Sequence, residues 1–125
     1  MVLVDTSSWI ETLRTGGNAA VRQRVSALVL DGEAAWCDMV RLELWNGVRG
    51  GREIRELTEL EDVIVSLPID QSVWDRAVAL SRRARSQGLT VQAPDLVIAA
   101  TAQRHRADVD SIDEHVARLM KLDID

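Results

Sequence analysis

The chain has 125 residues, 46% of them hydrophobic and 28% charged, with a net charge of −5. That length fits one domain over residues 1–125 and buries a core unaided. The composition excludes a disordered chain, and no apolar run approaches the roughly 20 residues of a membrane span. Cys37 is the only cysteine, which excludes internal disulfides and CxxC metal sites and points to a reducing, cytoplasmic setting.

The start, MVLVDTSSWIE, lacks the basic opening and long apolar stretch of a secretory signal, so none is expected. Val2-Leu3-Val4 predicts a strand buried on both faces that stops at Asp5. Thr6-Ser7-Ser8 offers capping hydroxyls to a helix over Trp9 to Leu13. Gly16-Gly17-Asn18 is a break, and Val21, Val25, Leu28 and Val29 mark a helix from Ala19 to Leu30, ended by Asp31-Gly32. A second short strand is expected over Ala34 to Cys37. Met39 to Val48 reads as a helix closing at Gly50-Gly51. Arg52 to Leu60 reads as a charged helix with Ile54, Leu57 and Leu60 inward. Val63-Ile64-Val65 predicts a third strand, ended by Pro68. Asp70 caps a helix to Gln87 whose inner stripe is Val73, Ala77, Leu80 and Ala84, with Gly88 as the stop. Pro94 opens an apolar helix reaching His105. Val109 to Ile112 predicts a weak fourth strand, Glu114 to Met120 a helix, and Leu122 to Ile124 a last edge strand. Strands alternating with helices predict an α/β/α sandwich around a mostly parallel sheet.

Active sites of open parallel sheets lie beyond the carboxyl ends of the strands. Asp5 stands at such an end, although an Asp there can also simply cap the next helix. Asp95 follows Pro94 where free helix N–H groups favour a carboxylate. Glu43 shares a helix face with Met39, Val40 and Gly47, so an ionised Glu there needs a metal or a salt bridge to Arg41 or Arg49. The fourth acid is open between Asp110 and Asp113. Asp113 sits at a strand-to-helix junction as Asp5 does, whereas Asp110 would alternate with Val109 and face solvent. Carboxylates that converge without a cation repel, and at least one would hold its proton. A hard divalent cation, Mg²⁺ or Mn²⁺, resolves this and suits phosphodiester chemistry. No phosphate loop, dinucleotide fingerprint, HExxH or GxSxG is present. His105 and His115 read as boundary residues, and Cys37 as a core thiol.

VLVDTSSWIE, RLELWNG, APDLVIAA and SIDEHVARL resemble, in order, the signatures of PIN-domain nucleases, and most of all the toxin ribonucleases of bacterial VapBC toxin–antitoxin pairs. The resemblance runs from Val2 to about Leu119. It implies a metal-dependent endoribonuclease acting on tRNA or rRNA, with Asp5, Glu43 and Asp95 as the core of a Mg²⁺ or Mn²⁺ site. Asp113 carries over as the fourth acid, because Asp113-Glu114-His115 resembles the family's Asp-x-His or Asp-x-Asp triplet. Thr6 carries over as a polar support. Val116 stands where the family usually has Phe, which keeps Asp110 as a rival for the fourth position. The resemblance also implies a homodimer and a cognate VapB-type antitoxin, for whose surfaces Trp9 and Trp45 are candidates against plain core packing.

Fourteen of the fifteen basic residues are Arg, which suits bidentate phosphate contacts. Arg49, Arg52 and Arg55 are candidates to meet RNA. Arg82-Arg83-Arg85 reads rather as a solvated helix face. Two other classes stay open: a catalytically inactive PIN-like binding module, and another Mg²⁺-dependent phosphoryl-transfer domain. Against the latter, the only Lys is Lys121, where a receiver-like site needs one on a late strand.

Overall fold

A computed structural model describes residues 1–124. Three successive aliphatic residues, Val2–Val4, form strand β1, and both of its edges are paired. It aligns with β2 (Ala34–Trp36) through Val2↔Ala34 and Leu3↔Ala35, and with β4 (Asp108–Asp110) through Val2↔Asp108, Leu3↔Val109 and Val4↔Asp110. Beyond β2 lies β3 (Val65–Ser66), so the order is β3-β2-β1-β4 and every pairing is parallel. The chain therefore runs outward from β1 through β2 to β3, then returns to the other side of β1. That reversal puts a crevice at the carboxyl ends of β1 and β4.

Seven helices flank the sheet: α1 (Thr6–Leu13), α2 (Ala19–Leu30), α3 (Asp38–Asn46), α4 (Gly51–Val63), α5 (Gln71–Ser86), α6 (Ala93–Arg104) and α7 (Glu114–Met120). Side chains fix their starts: Asn18 Oδ1 accepts from the Val21 amide at 3.0 Å, and Asp70 Oδ1 from the Val73 amide at 3.1 Å. Gly88, at φ +76°, takes the left-handed turn after α5. Leu3, Val4, Trp9, Trp36 and Val40 form the main core with Ile98 and Ala102 of α6. The opposite side of α6, Ala99 and Ala100, packs on Val73, Ala77, Leu80 and Ala84 of α5 and on Leu119 of α7. Its small residues let α6 sit between two layers, which is why the run Val97 to Ala102 is buried on every side.

The outline matches the sequence expectation, with corrections at the joints. Helix α1 starts at Thr6, capped by Asp5 rather than by a hydroxyl. Cys37 lies past the end of β2, buried at the start of α3, and burial pushes its thiol up. Helix α3 stops at Gly47 rather than at Val48. Helix α4 runs on to Val63, and Ile54 on it is exposed rather than inward. The Val63-Ile64-Val65 run is not a strand over its length: Val63 closes α4 and Ile64 plugs the core, so pairing starts only at Val65. β4 begins at Asp108 and leaves Ile112 exposed. Leu122 to Ile124 form no strand; Leu122 and Ile124 pack on the α5–α6–α7 cluster, so their apolar character serves burial without a ladder.

Candidate active site

Asp5 leaves the end of β1 with only 3% of its surface exposed. Its Oδ2 accepts from Ser7 Oγ at 2.6 Å, from the Ser7 amide at 3.4 Å and from Ser111 Oγ at 2.9 Å. Among the described residues nothing donates to Oδ1. Asp5 is thus both the cap of α1 and an acid held with one oxygen committed and the other free. The cap expected of this residue is made, and the same hydrogen bonds fix the orientation of its carboxylate.

Thr6 opens α1 and reaches across to α3, where its Oγ1 donates to Glu43 Oε1 at 2.7 Å. Glu43 is half-buried beside the buried Val40 and Leu44. The salt bridge to Arg41 or Arg49 that would have explained it away is not made among the described residues. Arg41 pairs instead with Glu61 at 2.6 Å and with Asp38 at 3.5 Å. Glu43 borders a cavity of about 360 Å³ walled by Ile10, Leu13, Leu44 and Leu57, with Arg49 on its rim.

Asp95 lies in the first turn of α6, and Asp113 caps α7, accepting from the His115 amide at 2.7 Å. Ligand atoms of Asp95, Asp113 and His115 lie within 4.8 Å of one another. Burial pushes the Asp95 carboxyl up to about 6, and the charges of Asp113, Asp5 and Glu43 push the same way, with His115 opposing. The other three acids therefore act on this one carboxyl. No Arg or Lys forms an ion pair with any of them among the described residues. Such a donor set, all oxygen and one imidazole, uncompensated and half sheltered, fits a hard divalent cation.

Asp110, the rival for the fourth position, has a different environment. Its side chain is 8% exposed, not solvent-facing, and it receives Arg24 Nε at 2.5 Å, Arg24 Nη2 at 3.0 Å and Ser8 Oγ at 2.8 Å. Burial disfavours its charge, but the Arg24 and Ser8 hydrogen bonds and the Arg24 charge prevail and hold the carboxyl below its ordinary value.

Sequence reasoning missed three groups at the site. His115 read as a boundary residue, although it closes the Asp-x-His triplet. Ser7 read only as a cap, and Ser111 drew no attention. Ser111 sits two residues before Asp113, takes the Asp113 amide at 2.9 Å and passes its proton toward Asp5, so it joins two of the acids. Of the basic candidates, Arg52 is engaged with Glu56 at 2.8 Å, the Leu13 carbonyl at 3.0 Å and Thr15 Oγ1 at 3.0 Å. Arg55 is exposed. Trp9 is in the core, edge-on to Trp36 with centroids 6.0 Å apart, and Trp45 Nε1 donates to Glu61 at 2.8 Å. The exposed Trp is Trp74.

The family model of the PIN domain matches residues 2–122. The chain is similar to VapC ribonuclease Mb1587 of Mycobacterium bovis, 34% identical over 128 residues, which cover 98% of this chain and 96% of that protein. Among solved structures it resembles FitAcB from Neisseria gonorrhoeae, with TM-score 0.77 and 25% identity over 98% of this chain and 94% of the other. A toxin–antitoxin complex from Klebsiella pneumoniae shares the fold at TM-score 0.73 and 22% identity, over 90% of this chain and 87% of that one.

Proposed function

The chain belongs to the PIN domain family, and from that premise and its converging carboxylates we propose that it is a divalent-metal-dependent endoribonuclease, the toxin of a toxin–antitoxin pair. The proposal includes one catalytic domain over residues 1–125, acting in the cytoplasm on structured RNA such as tRNA or rRNA. The observation that carries it is Asp95: a carboxyl raised to about 6 by burial and by three other acids, with no Arg or Lys paired to any of the four among the described residues and only the His115 imidazole opposing.

Asp5, Asp95 and Asp113 would hold Mg²⁺, or Mn²⁺ in its place, and Glu43 would be a further ligand or would orient the attacking water. Bound there, the cation supplies positive charge to the phosphodiester oxygens and makes a water more acidic. The rest falls to this chain's own groups. Ser7 and Ser111 keep Asp5 from rotating and leave its Oδ1 free to bind. Thr6 occupies Glu43 Oε1 and leaves Oε2 to accept a proton from water. Asp113 is pinned by the His115 amide and stays in register with Asp95. Arg49, on the cavity rim beside Glu43, would meet a phosphate flanking the cut, with Arg52 behind it.

Two surfaces support the partner reading. A groove of about 550 Å³ between α1, α2 and α4 is lined by Leu13, Val29, Leu30, Leu60 and Val63. The buried Trp9 Nε1 on its floor has no acceptor among the described residues. An antitoxin segment would seat there. Trp74 and Val78, one turn apart and exposed on α5, would serve a homodimer.

Incubating antitoxin-free protein with a total RNA pool tests the reading, with Mg²⁺, Mn²⁺, chelator or the Asp95→Asn variant. Discrete fragments that need the metal and vanish in the variant are expected. Cleavage that survives both chelator and Asp95→Asn would overturn the four-acid mechanism. No cleavage, in protein shown to bind metal, would point to an inactive binding module.

A further inference from the structure

The arginines divide into those that neutralise the fold's own acids and those that do not. Arg14, Arg24, Arg41 and Arg52 each hold a carboxylate. Arg82 and Arg85 do not: neither guanidinium has a hydrogen-bond or ion-pair partner among the described residues. They lie one turn apart on α5, both exposed, and both line a cleft of about 530 Å³. The far wall is the segment that leads into α6: Leu89, Thr90, Val91 and Leu96. Leu96 directly follows Asp95, so the cleft and the candidate acidic site are both built on the first turn of α6.

A chain of net charge −5 that turns two unpaired guanidiniums into one concavity has built a local anion site against its overall charge. Arg forks suit phosphate oxygens, and the Thr90 hydroxyl adds a neutral partner. The cleft contains no aromatic side chain, so it offers no platform for stacking bases. Its chemistry is that of a backbone contact, which positions a strand without reading its sequence.

We propose that the cleft between the end of α5 and residues 89–96 holds the phosphodiester backbone of RNA, at a phosphate flanking the one cut at the acidic crevice. This rests on the ribonuclease reading of that crevice. The Arg82-to-Arg85 run is then a second contact, which keeps a strand engaged while the acids work on a neighbouring linkage. It replaces the solvated-face reading of the run.

The test is fluorescence anisotropy with an end-labelled, mixed-sequence RNA of about 20 nucleotides, in the Asp95→Asn background so that the RNA stays intact. Each phosphate contact to a single strand contributes about 0.7 to the slope of log affinity against log salt. Arg82→Gln with Arg85→Gln should lower that slope by about 1.4 and weaken binding about tenfold at low salt. The Lys pair at the same positions should keep most of the slope. Arg83→Gln, outside the cleft lining, should change it little. An unchanged slope in the Gln pair overturns the proposal, as does an equal loss from Arg83→Gln or no binding by the parent. Metal-dependent cleavage of total RNA by the unsubstituted chain is read separately. Cleavage with an unchanged slope sinks the cleft alone, and a lost slope without cleavage sinks the nuclease alone.

Discussion

Asp110 and Asp113 stand three residues apart where β4 gives way to α7, and they have opposite surroundings. Asp110 turns under α1 and α2 and meets a guanidinium and a hydroxyl. Asp113 turns toward α6 and meets Asp95 and an imidazole. One carboxylate is neutralised from within the fold. The other adds to a negative charge that the fold leaves uncompensated. An acid at a strand end is therefore not a site by position alone. What sets Asp113 apart is the missing guanidinium or ammonium partner, a role that an external cation would fill.

The sharpest way to break this contrast is to neutralise each side in turn. Asp95→Asn should lower RNA cleavage at least about 100-fold, as losing a group that stabilises the reacting charge does. The same substitution should raise the melting temperature of metal-free protein, since it removes repulsion and a desolvated charge. Loss of activity with gain of stability is the signature of a site. If Asp95→Asn instead melts lower without metal, the acids are a structural network and the contrast fails.

Asp110→Ala should show the reverse. It strips the acceptor from Ser8, a wholly buried hydroxyl, and the partner from Arg24. A loss of about 1–3 kcal/mol in denaturant unfolding is expected, with the midpoint of metal binding unmoved. A shift in that midpoint as large as for Asp113→Ala would return Asp110 to the fourth position.

The two sides also titrate in opposite senses. Asp95 has its folded value raised, from 3.8 to about 6. Its contribution to stability is fully present below about pH 4 and is lost as pH rises through about 6. Asp110 has its value lowered, so its contribution is present above the ordinary carboxylate range and is lost as pH falls through the folded value. Subtracting the melting curve of each Asn variant from that of the parent, in chelator, isolates each group. The Asp95 difference should grow between pH 4 and 7, and the Asp110 difference should shrink on acidification. Parallel slopes would mean that the two carboxyls share one environment.

These contrasts show what was legible beforehand. Apolar patterning and start signals located α2, α5, α6 and α7: Asn18, Asp70 and Asp113 cap three of them, and Pro94 opens α6. The short edge pieces were not legible. A run such as Val63-Ile64-Val65 fits a strand, a helix end or a plug equally well, and only the end of α4 decides. Of the candidate acids, Asp5 and Glu43 stood out because each interrupts an apolar pattern, and Asp95 because it follows Pro94 at the start of α6. The contrast between Asp110 and Asp113 rests on Arg24, 86 residues from Asp110 in the chain. Likewise Ser111 has no pattern of its own, and its role depends on Asp5, 106 residues off. Local signals find acids; only the packed structure says which have been neutralised.

The smallest expected effects concern the hydroxyls that aim the acids. Ser111→Ala removes the donor at 2.9 Å from Asp5 Oδ2 but leaves Ser7 Oγ and the Ser7 amide on the same oxygen. Groups that orient metal ligands typically tune affinity 10–100-fold when lost. With two donors remaining, about tenfold weaker Mn²⁺ binding by titration calorimetry is expected, with little change in melting. Thr6→Val should act on Glu43 alone, because Thr6 Oγ1 is its only donor among the described residues. If Glu43 orients water rather than binding the cation, Thr6→Val lowers the cleavage rate and spares Mn²⁺ affinity, whereas Ser111→Ala lowers both. Equal losses of affinity in the two variants would make Glu43 a ligand of the same rank as Asp5.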